Sequence, residues 1–309
     1  MAKDVLFVGD INVDLMLGGL EMPPAIDREV TCASFALTMG SSIVITAANY
    51  SGLGGSAAVA GLVGDDDYGR FMIAGMNERS IDTSLVQTSH AVGTGVTVNL
   101  IYRETRTQIT YPGTIATFED ISEIESRIGE YSHIHFSGVY QQHKFRPKIE
   151  GLLKLARASG ATASLDPQWD PLEKWEFLET WLPYLEYFFV NEDEAISFTR
   201  EREPDQAIAR LSGMTQRPIC KIGARGAILP VNGDTVIIPT YEVPIHDTTG
   251  AGDAFAAGVL YARLEKGMGL AESVRFANAV AARNCTEEGG VNSCPTFDEI
   301  NHFMETRGE

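Results

Sequence analysis

The sequence predicts an α/β protein whose core is a doubly wound, mainly parallel sheet flanked by helices. Short runs of β-branched and aromatic residues recur along the chain and end in Gly, Asp or Asn. The clearest are 5–10, 134–138, 163–167 and 188–191. Such runs are typical of buried parallel strands with polar groups at their carboxyl ends. Helix-length amphipathic segments lie between them, at 147–159 and 205–213 for example, and this β-α-β alternation indicates the doubly wound arrangement.

Three polar residues lie at the ends of predicted strands: Asp10, Asp166 and Asn191. In open parallel sheets, ligands bind beyond the carboxyl ends of the strands. We therefore expect these three side chains to line a ligand site.

One region interrupts the alternation. Residues 95–102 and 107–111 have the composition of two strands joined by the polar turn 103–106, which predicts a hairpin. Together with 30–38, the hairpin can form a small β-sheet that stands off the main sheet as a cover. An ordinary edge hairpin is the alternative.

The domain organisation expected from the sequence is simple. A chain of 309 residues can bury a sizeable core without disulfides or a structural metal. We expect one domain over residues 1–309, with the strands of the small sheet inserted at about 12–40 and 93–113. A helix signal near 296–304 indicates that the chain ends on a helix.

Composition narrows the classes of partner. The chain has 24 Lys plus Arg against 42 Asp plus Glu, and the net charge of −18 disfavours nucleic acid or an anionic membrane as the main partner. It contains neither a secretory signal nor an apolar run of about 20 residues. Four cysteines without a CxxC motif favour a reduced, cytoplasmic setting. They are Cys32, Cys220, Cys285 and Cys294.

A candidate reactive site lies at 247–255, where the sequence is Asp-Thr-Thr-Gly-Ala-Gly-Asp-Ala-Phe. It precedes a helical run at 256–264. Small residues at a helix start leave backbone N–H groups free, and the helix dipole adds positive charge, so the turn can hold a phosphate. Asp253 would repel that phosphate, yet it suits a base that takes the proton of an attacking hydroxyl. The alternative is that Asp253 only stabilises the helix start.

The pattern Asp-Thr-x-Gly-Ala-Gly-Asp-x-Phe resembles the second signature of the PfkB/ribokinase family and is complete at 247–255. The resemblance implies a ribokinase-like fold. It also implies an ATP-dependent kinase that phosphorylates a hydroxyl of a small sugar or sugar-like substrate. Asp253 would then be the catalytic base, and Gly250, Ala251 and Gly252 would form the anion hole.

On the acceptor side, residues 9–14 resemble the first strand of the family and its sugar-contacting turn. The resemblance therefore implies that Asn12, Asp14, Gly40 and Ser41 hold the substrate.

On the nucleotide side, 191–194 resembles the Asn-x-x-Glu motif of the family, and 221–226 resembles its Thr-x-Gly-x-x-Gly loop, with Lys at the position of the Thr. The resemblance implies that Glu194 acts on Mg²⁺, through water, beside the phosphates of ATP. The residues expected at the nucleotide are Asn191, Lys221, Gly223, Gly226, Thr248 and Asn278.

The first signature of the family, Gly-Gly-x-x-x-Asn-x-Ala, is altered at 40–47. Ser41 replaces the second Gly, and Ile45 replaces the Asn. Because these positions approach the sugar, the acceptor need not be ribose. Ile43 and Ile45 could instead favour a flat base, which leaves a nucleoside kinase as an alternative. A catalytically silent protein that binds a nucleotide or a sugar is a third interpretation.

Three further expectations concern a cation, the assembly of the protein and the hairpin turn. The resemblance permits a monovalent cation such as K⁺ near the anion hole, and a homodimer formed through the small sheet. Arg103 and Arg106 could meet a substrate phosphate, although a solvated turn is the simpler interpretation.

Overall fold

The structure is a computed structural model that describes residues 5–102 and 105–307, with the side chains of residues 105 and 106 left out. The strands are β1 Val5–Gly9, β2 Asn12–Leu20, β3 Ser34–Met39, β4 Ala57–Gly64, β5 Asp82–Ser89, β6 Gly95–Tyr102, β7 Thr105–Tyr111, β8 His133–Ser137, β9 Thr162–Asp166, β10 Tyr187–Asn191, β11 Pro218–Lys221, β12 Ala227–Val231 and β13 Asp234–Ile238. The helices are α1 Ser42–Gly52, α2 Asp67–Glu78, α3 Thr114–Thr117, α4 Ser122–Arg127, α5 Ile149–Ser159, α6 Leu178–Trp181, α7 Glu192–Thr199, α8 Pro204–Leu211, α9 Ala251–Leu264, α10 Leu270–Asn284 and α11 Phe297–Arg307.

The main sheet has nine strands in the order β13-β12-β11-β10-β9-β8-β1-β4-β5. The strands from β11 to β5 pair in parallel, whereas β12 and β13 add an antiparallel edge. This architecture confirms the predicted doubly wound, mainly parallel sheet. The predicted strands at 134–138 and 163–167 occur one residue earlier, as β8 and β9.

Helices cover both faces of this sheet because its side chains alternate between two apolar layers. Val5 and Phe7 of β1 belong to the core that includes α1, α9 and α10. Leu6 and Val8 belong to the opposite core, which includes α5 and α8. Because each strand is buried on both faces, its sequence is a nearly continuous apolar run, which is the pattern that predicted the strands.

The small sheet has the order β3-β2-β6-β7, with β2 and β6 parallel and the outer pairs antiparallel. The sheet that the sequence predicts is therefore present, although the strand expected at 30–38 runs from Ser34 to Met39. Among the described residues, no helix combines the length and the apolar character that are needed to cross a membrane.

The two faces of the small sheet differ in polarity and in burial. The register of the four strands places the following apolar side chains on one face, and each of them is at least partly exposed: Leu15, Leu17, Phe35, Leu37, Val98, Leu100, Ile109 and Tyr111. On the other face, Asp14, Met16, Thr97 and Asn99 are buried. The polar face is thus the covered one.

Candidate active site

The candidate site lies at the carboxyl edge of the main sheet. Asp10 follows β1, Asp166 ends β9, Asn191 ends β10 and Lys221 ends β11. Because parallel strands bring their carboxyl ends to one edge, residues that are far apart in the sequence meet there. The first turn of α9 adds Asp253.

The turn before Asp253 differs from the sequence-based expectation. The helix was expected to begin near residue 256, but α9 begins at Ala251 and includes Gly252 and Asp253 in its first turn. Gly250 precedes it with a left-handed backbone, φ 74°. A Cβ at Gly250 would approach Gly290 Cα to 2.7 Å, so the position requires glycine. Ala251 N donates to Thr248 O and Ala254 N to Gly250 O, whereas a helix start leaves its other first amides without an intrahelical acceptor, which suits an anion.

The carboxylate of Asp253 is buried, at 8% exposure. Ser42 donates a hydrogen bond from Oγ to Asp253 Oδ1, and Ser42 Oγ lies 2.6 Å from Ser137 Oγ. Burial raises the pKa of Asp253 to about 8, and the charge of Asp166 acts in the same direction against the Ser42 hydrogen bond. A carboxyl with a pKa near neutrality can exchange a proton with a substrate hydroxyl.

Ser42 and Ser137 were missed by sequence reasoning. Ser42 is the first residue of α1, and Ser137 is the last of β8, so both lie at helix or strand ends next to the site. The only sequence signal was the Ser41-Ser42 pair in the altered first signature.

Lys221, Asp166 and Glu194 form a charged cluster. Lys221 Nζ lies 2.5 Å from Asp166 Oδ2, and both side chains are largely buried. Burial lowers the pKa of Lys221, but the charges of Asp166 and Glu194 outweigh it and raise the value to about 12. Burial also raises the pKa of Glu194 to about 7, against the charge of Lys221.

Asn191 and Glu194 cap the start of α7 reciprocally. Glu194 N donates to Asn191 Oδ1 over 2.9 Å, and Asn191 N donates to Glu194 Oε2 over 2.8 Å. This capping box satisfies two backbone donors. The same oxygen atoms are hard donors of the kind that Mg²⁺ prefers, so the chemistry of the pair fits a metal that arrives with phosphates. No cluster of three or more His, Cys, Asp or Glu residues in the described chain is placed to hold a metal by itself.

A cleft of about 510 Å³ opens beside the first turn of α9. Its walls include the following residues that the sequence predicts for the nucleotide or the anion hole: Lys221, Gly223, Gly226, Thr248, Ala251, Gly252 and Asn278. Asn278 also donates from Nδ2 to the carbonyl oxygen atoms of Ile238 and Pro239, which ties α10 to the end of β13.

The apolar wall of the cleft was also missed from the sequence. Tyr241, Val243 and Ile245 line it together with Ala281 and Ala282 of α10. The alternation at 241, 243 and 245 was available as a signal of an extended segment with one apolar side.

Three of the residues predicted for the acceptor lie together where the small sheet joins the main sheet. Asn12 Nδ2 donates to Asp14 Oδ1 over 3.1 Å and to Thr97 Oγ1 over 3.3 Å. A Cβ at Gly40 would lie 2.4 Å from Asp14 Oδ1, so a larger residue would displace the Asp14 side chain. Ser41 is adjacent, but its hydroxyl is engaged by the backbone, since it accepts from Val44 N and donates to Asp10 O.

Two buried oxygen atoms near this junction have no hydrogen-bond partner within the described ranges, Asp10 Oδ1 and Gln142 Oε1. Burial raises the pKa of Asp10 to about 7, and the charge of Asp14 adds to the effect. Gln142 donates from Nε2 to the carbonyl oxygen atoms of Ser137 and Gly138.

The two isoleucines of the altered signature do not support the idea of a base-binding wall. Ile43 is 0% exposed and Ile45 is 4% exposed, and both belong to the hydrophobic core. Ile45 packs against Gly250 and Gly290, where its side chain fills the space beside both glycines. The argument for a nucleoside acceptor from these side chains is therefore wrong. Arg103 lies outside the described residues, as does the side chain of Arg106.

Known proteins are similar to this chain in sequence and in fold. The chain is 28% identical over 306 residues to an ATP-dependent ribose-1-phosphate kinase of Halopiger xanaduensis, which covers 98% of each chain. The fold matches an Escherichia coli protein assigned as a ribokinase II, in complex with ATP and Mg²⁺, with a TM-score of 0.86, 21% identity and 99% and 100% of the two chains covered. It also matches a ribokinase of Arabidopsis thaliana complexed with ribose and ATP, with a TM-score of 0.84, 19% identity and 99% of each chain covered.

The whole-chain extent of these similarities agrees with a family match that runs from residue 2 to residue 297. The signature at 247–255 lies inside that match and, in the structure, forms the start of α9 beside the cleft. The expectation of a carbohydrate kinase is thereby confirmed, and the protein belongs to the pfkB family of carbohydrate kinases.

Proposed function

We propose that the protein transfers the terminal phosphoryl group of ATP to a hydroxyl of a small sugar, with Asp253 as the general base. The observation that carries this proposal is the position of Asp253, which is buried in the first turn of α9. The nucleotide cleft opens on one side of that turn. Through Ser42 and Ser137, the carboxylate also connects to the end of β8, next to the acceptor residues.

The proposed reaction assigns a task to each group. The acceptor hydroxyl attacks the terminal phosphorus atom while its proton passes to Asp253. The bond from that phosphorus to the β,γ-bridging oxygen breaks, and its electron pair leaves with ADP. The amides at Gly250, Ala251 and Gly252 stabilise the charge on the transferred group, and that of Ala251 gives up its bond to Thr248 O to do so. Magnesium, when bound, would neutralise the charge of the phosphates. Asn191 and Glu194 would hold it, because their side-chain oxygen atoms are hard donors of the kind that Mg²⁺ prefers.

The acceptor is proposed to be a neutral, hydroxyl-rich sugar. The side chains at the junction are a carboxylate, an amide and a hydroxyl, those of Asp14, Asn12 and Thr97. Such groups accept and donate hydrogen bonds to sugar hydroxyls, and Asp10 adds a buried carboxyl nearby. A carboxyl-rich pocket repels a phosphate group.

Buried oxygen atoms near the signature support a monovalent cation beside the anion hole. Asp247 accepts from Thr249 N and from Gly289 N, which draws the loop after α10 onto the signature. Asn284 Oδ1 and Ser293 Oγ in the same region are buried without a hydrogen-bond partner in the described part of the chain. Oxygen ligands of this kind suit K⁺, which we propose as an activator.

The whole chain is proposed to form a single kinase domain. The small sheet of this domain is proposed to act as a lid over the acceptor and as the interface of a homodimer. Its covered polar face lies at the acceptor residues, whereas its apolar face is open, with Phe35 65% and Ile109 58% exposed. Contiguous exposed apolar faces mark interaction sites. A second copy of the chain offers the same face, as a two-fold interface requires.

A cytoplasmic location is also proposed, and the four unpaired thiols support a reduced compartment.

The decisive experiment is an ADP-release assay with a panel of acceptors. The panel contains ribose, fructose, 2-keto-3-deoxygluconate, inositol, ribose 1-phosphate, fructose 6-phosphate and adenosine. We expect a neutral sugar to give the highest kcat/KM. Preference for a phosphorylated sugar would overturn the neutral acceptor, preference for adenosine would support the nucleoside alternative, and no turnover with any acceptor would support a silent binding protein.

A further inference from the structure

Lys221 occupies a position that its ion pair alone does not explain. Within the described chain, it is the one basic residue among those that line the nucleotide cleft. Its side chain is 17% exposed, and Nζ lies 2.5 Å from Asp166 Oδ2. A Cβ built on Gly252 would lie 3.2 Å from the same Nζ. The ammonium group therefore lies between a buried carboxylate and the first turn of α9.

The ionisable groups that act on this ammonium group are acidic. The carboxyl groups of Asp166, Glu194 and Asp253 are buried, and each acts electrostatically on Lys221. An incoming triphosphate adds more negative charge, while the start of α9 offers only a partial positive charge. Among the described residues that line the cleft, Lys221 is the one side chain that can bring a full positive charge to the phosphates, in addition to the proposed metal ions.

We propose that Lys221 is a catalytic residue whose ammonium group leaves Asp166 when ATP binds and donates to oxygen atoms of the transferred phosphoryl group. This inference rests on the proposed kinase function. As the oxygen of the acceptor bonds to phosphorus and the bond to the β,γ-bridging oxygen breaks, the hydroxyl proton passes to Asp253. Lys221 keeps its three protons and stabilises the charge on the oxygen atoms of the transferred phosphoryl group.

The residue type fits this role. Lysine is a compact point charge on a flexible stem, so Nζ can move between two anions while the backbone of β11 stays in place. The loop motif that 221–226 resembles has Thr at this position. The short, neutral side chain of Thr cannot supply a positive charge. The substitution adds a cation at the point where Gly252 begins α9.

A structural role is the competing explanation, in which Lys221 only neutralises Asp166. Removing one partner of a buried ion pair leaves an uncompensated charge and destabilises the fold. The double variant D166N/K221M removes both charges together. If the role is structural, this double variant regains both stability and activity; if Lys221 is catalytic, it regains stability alone.

The test compares K221M, D166N and D166N/K221M with the wild type by thermal melting, by turnover and by calorimetry. The calorimetric probes are ADP and β,γ-methylene-ATP, both with Mg²⁺. We expect kcat to fall about 10²- to 10³-fold in K221M and to stay low in the double variant. The affinity for the ATP analogue should fall about tenfold more than the affinity for ADP, because only the analogue carries the third phosphate.

The matched control is R217M. Arg217 pairs with Glu186 just before the other end of β11, so this variant removes a partly buried ion pair far from the phosphates. It should leave the ratio of the two affinities unchanged. Recovery of kcat in D166N/K221M, or an equal loss of affinity for both probes in K221M, would overturn the role of Lys221. A wild-type protein that binds neither nucleotide would overturn the proposed function as well.

Discussion

The main sheet and the small sheet use apolar residues in opposite ways. In the main sheet both faces are apolar and covered by helices, as the alternation of Phe7 and Val8 between two cores illustrates. In the small sheet the polar face is covered, while Phe35 and Ile109 lie open to solvent. The main sheet is therefore stabilised within the chain, whereas the small sheet leaves an apolar face open, which is the basis for its proposed roles as a lid and as an interface.

Replacing the proposed base at the edge of the main sheet should have the largest effect. In D253N, the amide keeps the size of the side chain but cannot take a proton from the acceptor hydroxyl. We expect kcat to fall about 10²- to 10⁴-fold. The melting temperature should change little or rise, since a buried carboxylate is removed.

The outcome separates two roles of Asp253. A residue that only supports the start of α9 tolerates Asn, so kcat within a few-fold of wild type would contradict the base assignment. Calorimetry with ADP serves as the control for an intact nucleotide cleft.

The polar face of the small sheet should show the next largest effect. D14A removes a carboxylate that sugar hydroxyls can meet, and unpaired hydroxyls cost about 1–3 kcal/mol, or roughly a 5- to 150-fold rise in KM. The KM for the acceptor should rise while the KM for ATP stays nearly constant. F35A, on the opposite face of the same sheet, is the control. An equal rise in both KM values for D14A would contradict the placement of the sugar.

The pH profile tests the electrostatics of the main-sheet edge. Burial raises the pKa of Asp253 to about 8, so below that pH the carboxyl is protonated and cannot act as a base. We expect kcat/KM to rise about tenfold per pH unit up to about pH 8. S42A removes a hydrogen bond that lowers the pKa of Asp253, so its profile should shift to higher pH. A flat profile from pH 6 to pH 9 would contradict this account.

The open face of the small sheet should show the smallest effect on catalysis. We expect the wild type to sediment as a dimer, and I109E to raise the dissociation constant at least about tenfold, because each copy would bury a carboxylate at the interface. I237E, at an equally exposed site on the edge strand β13 of the main sheet, should remain dimeric. A wild-type monomer at micromolar concentration would rule out the interface.

The sequence allowed more of the main sheet to be predicted than of the site. Strand ends such as Asp166 and Asn191 were identified because buried strands have a strong local signature. The start of α9 was placed five residues late, since Gly252 is a poor helix former and its helical backbone depends on its surroundings.

The site itself depends on contacts between distant segments. The bond from Ser42 to Asp253 joins residues 211 positions apart, and the pair of Lys221 and Asp166 spans 55 positions. No local pattern encodes such pairings. For the same reason Ile45 was misjudged, because only the structure shows it against Gly250 and Gly290.

The close approach at Gly40 matters to anyone who wishes to redesign the acceptor range of this enzyme. Because Asp14 Oδ1 and Asn12 Nδ2 lie 2.4 and 2.6 Å from where a Cβ would stand, any larger residue at position 40 would displace two side chains that are proposed to hold the sugar. Thr97 belongs to the same hydrogen-bonded group, since it is buried and accepts from Asn12, whereas Thr110, whose hydroxyl lies 3.1 Å from that of Thr97, is partly exposed. Diversification should therefore begin at Thr110 and hold the glycine fixed.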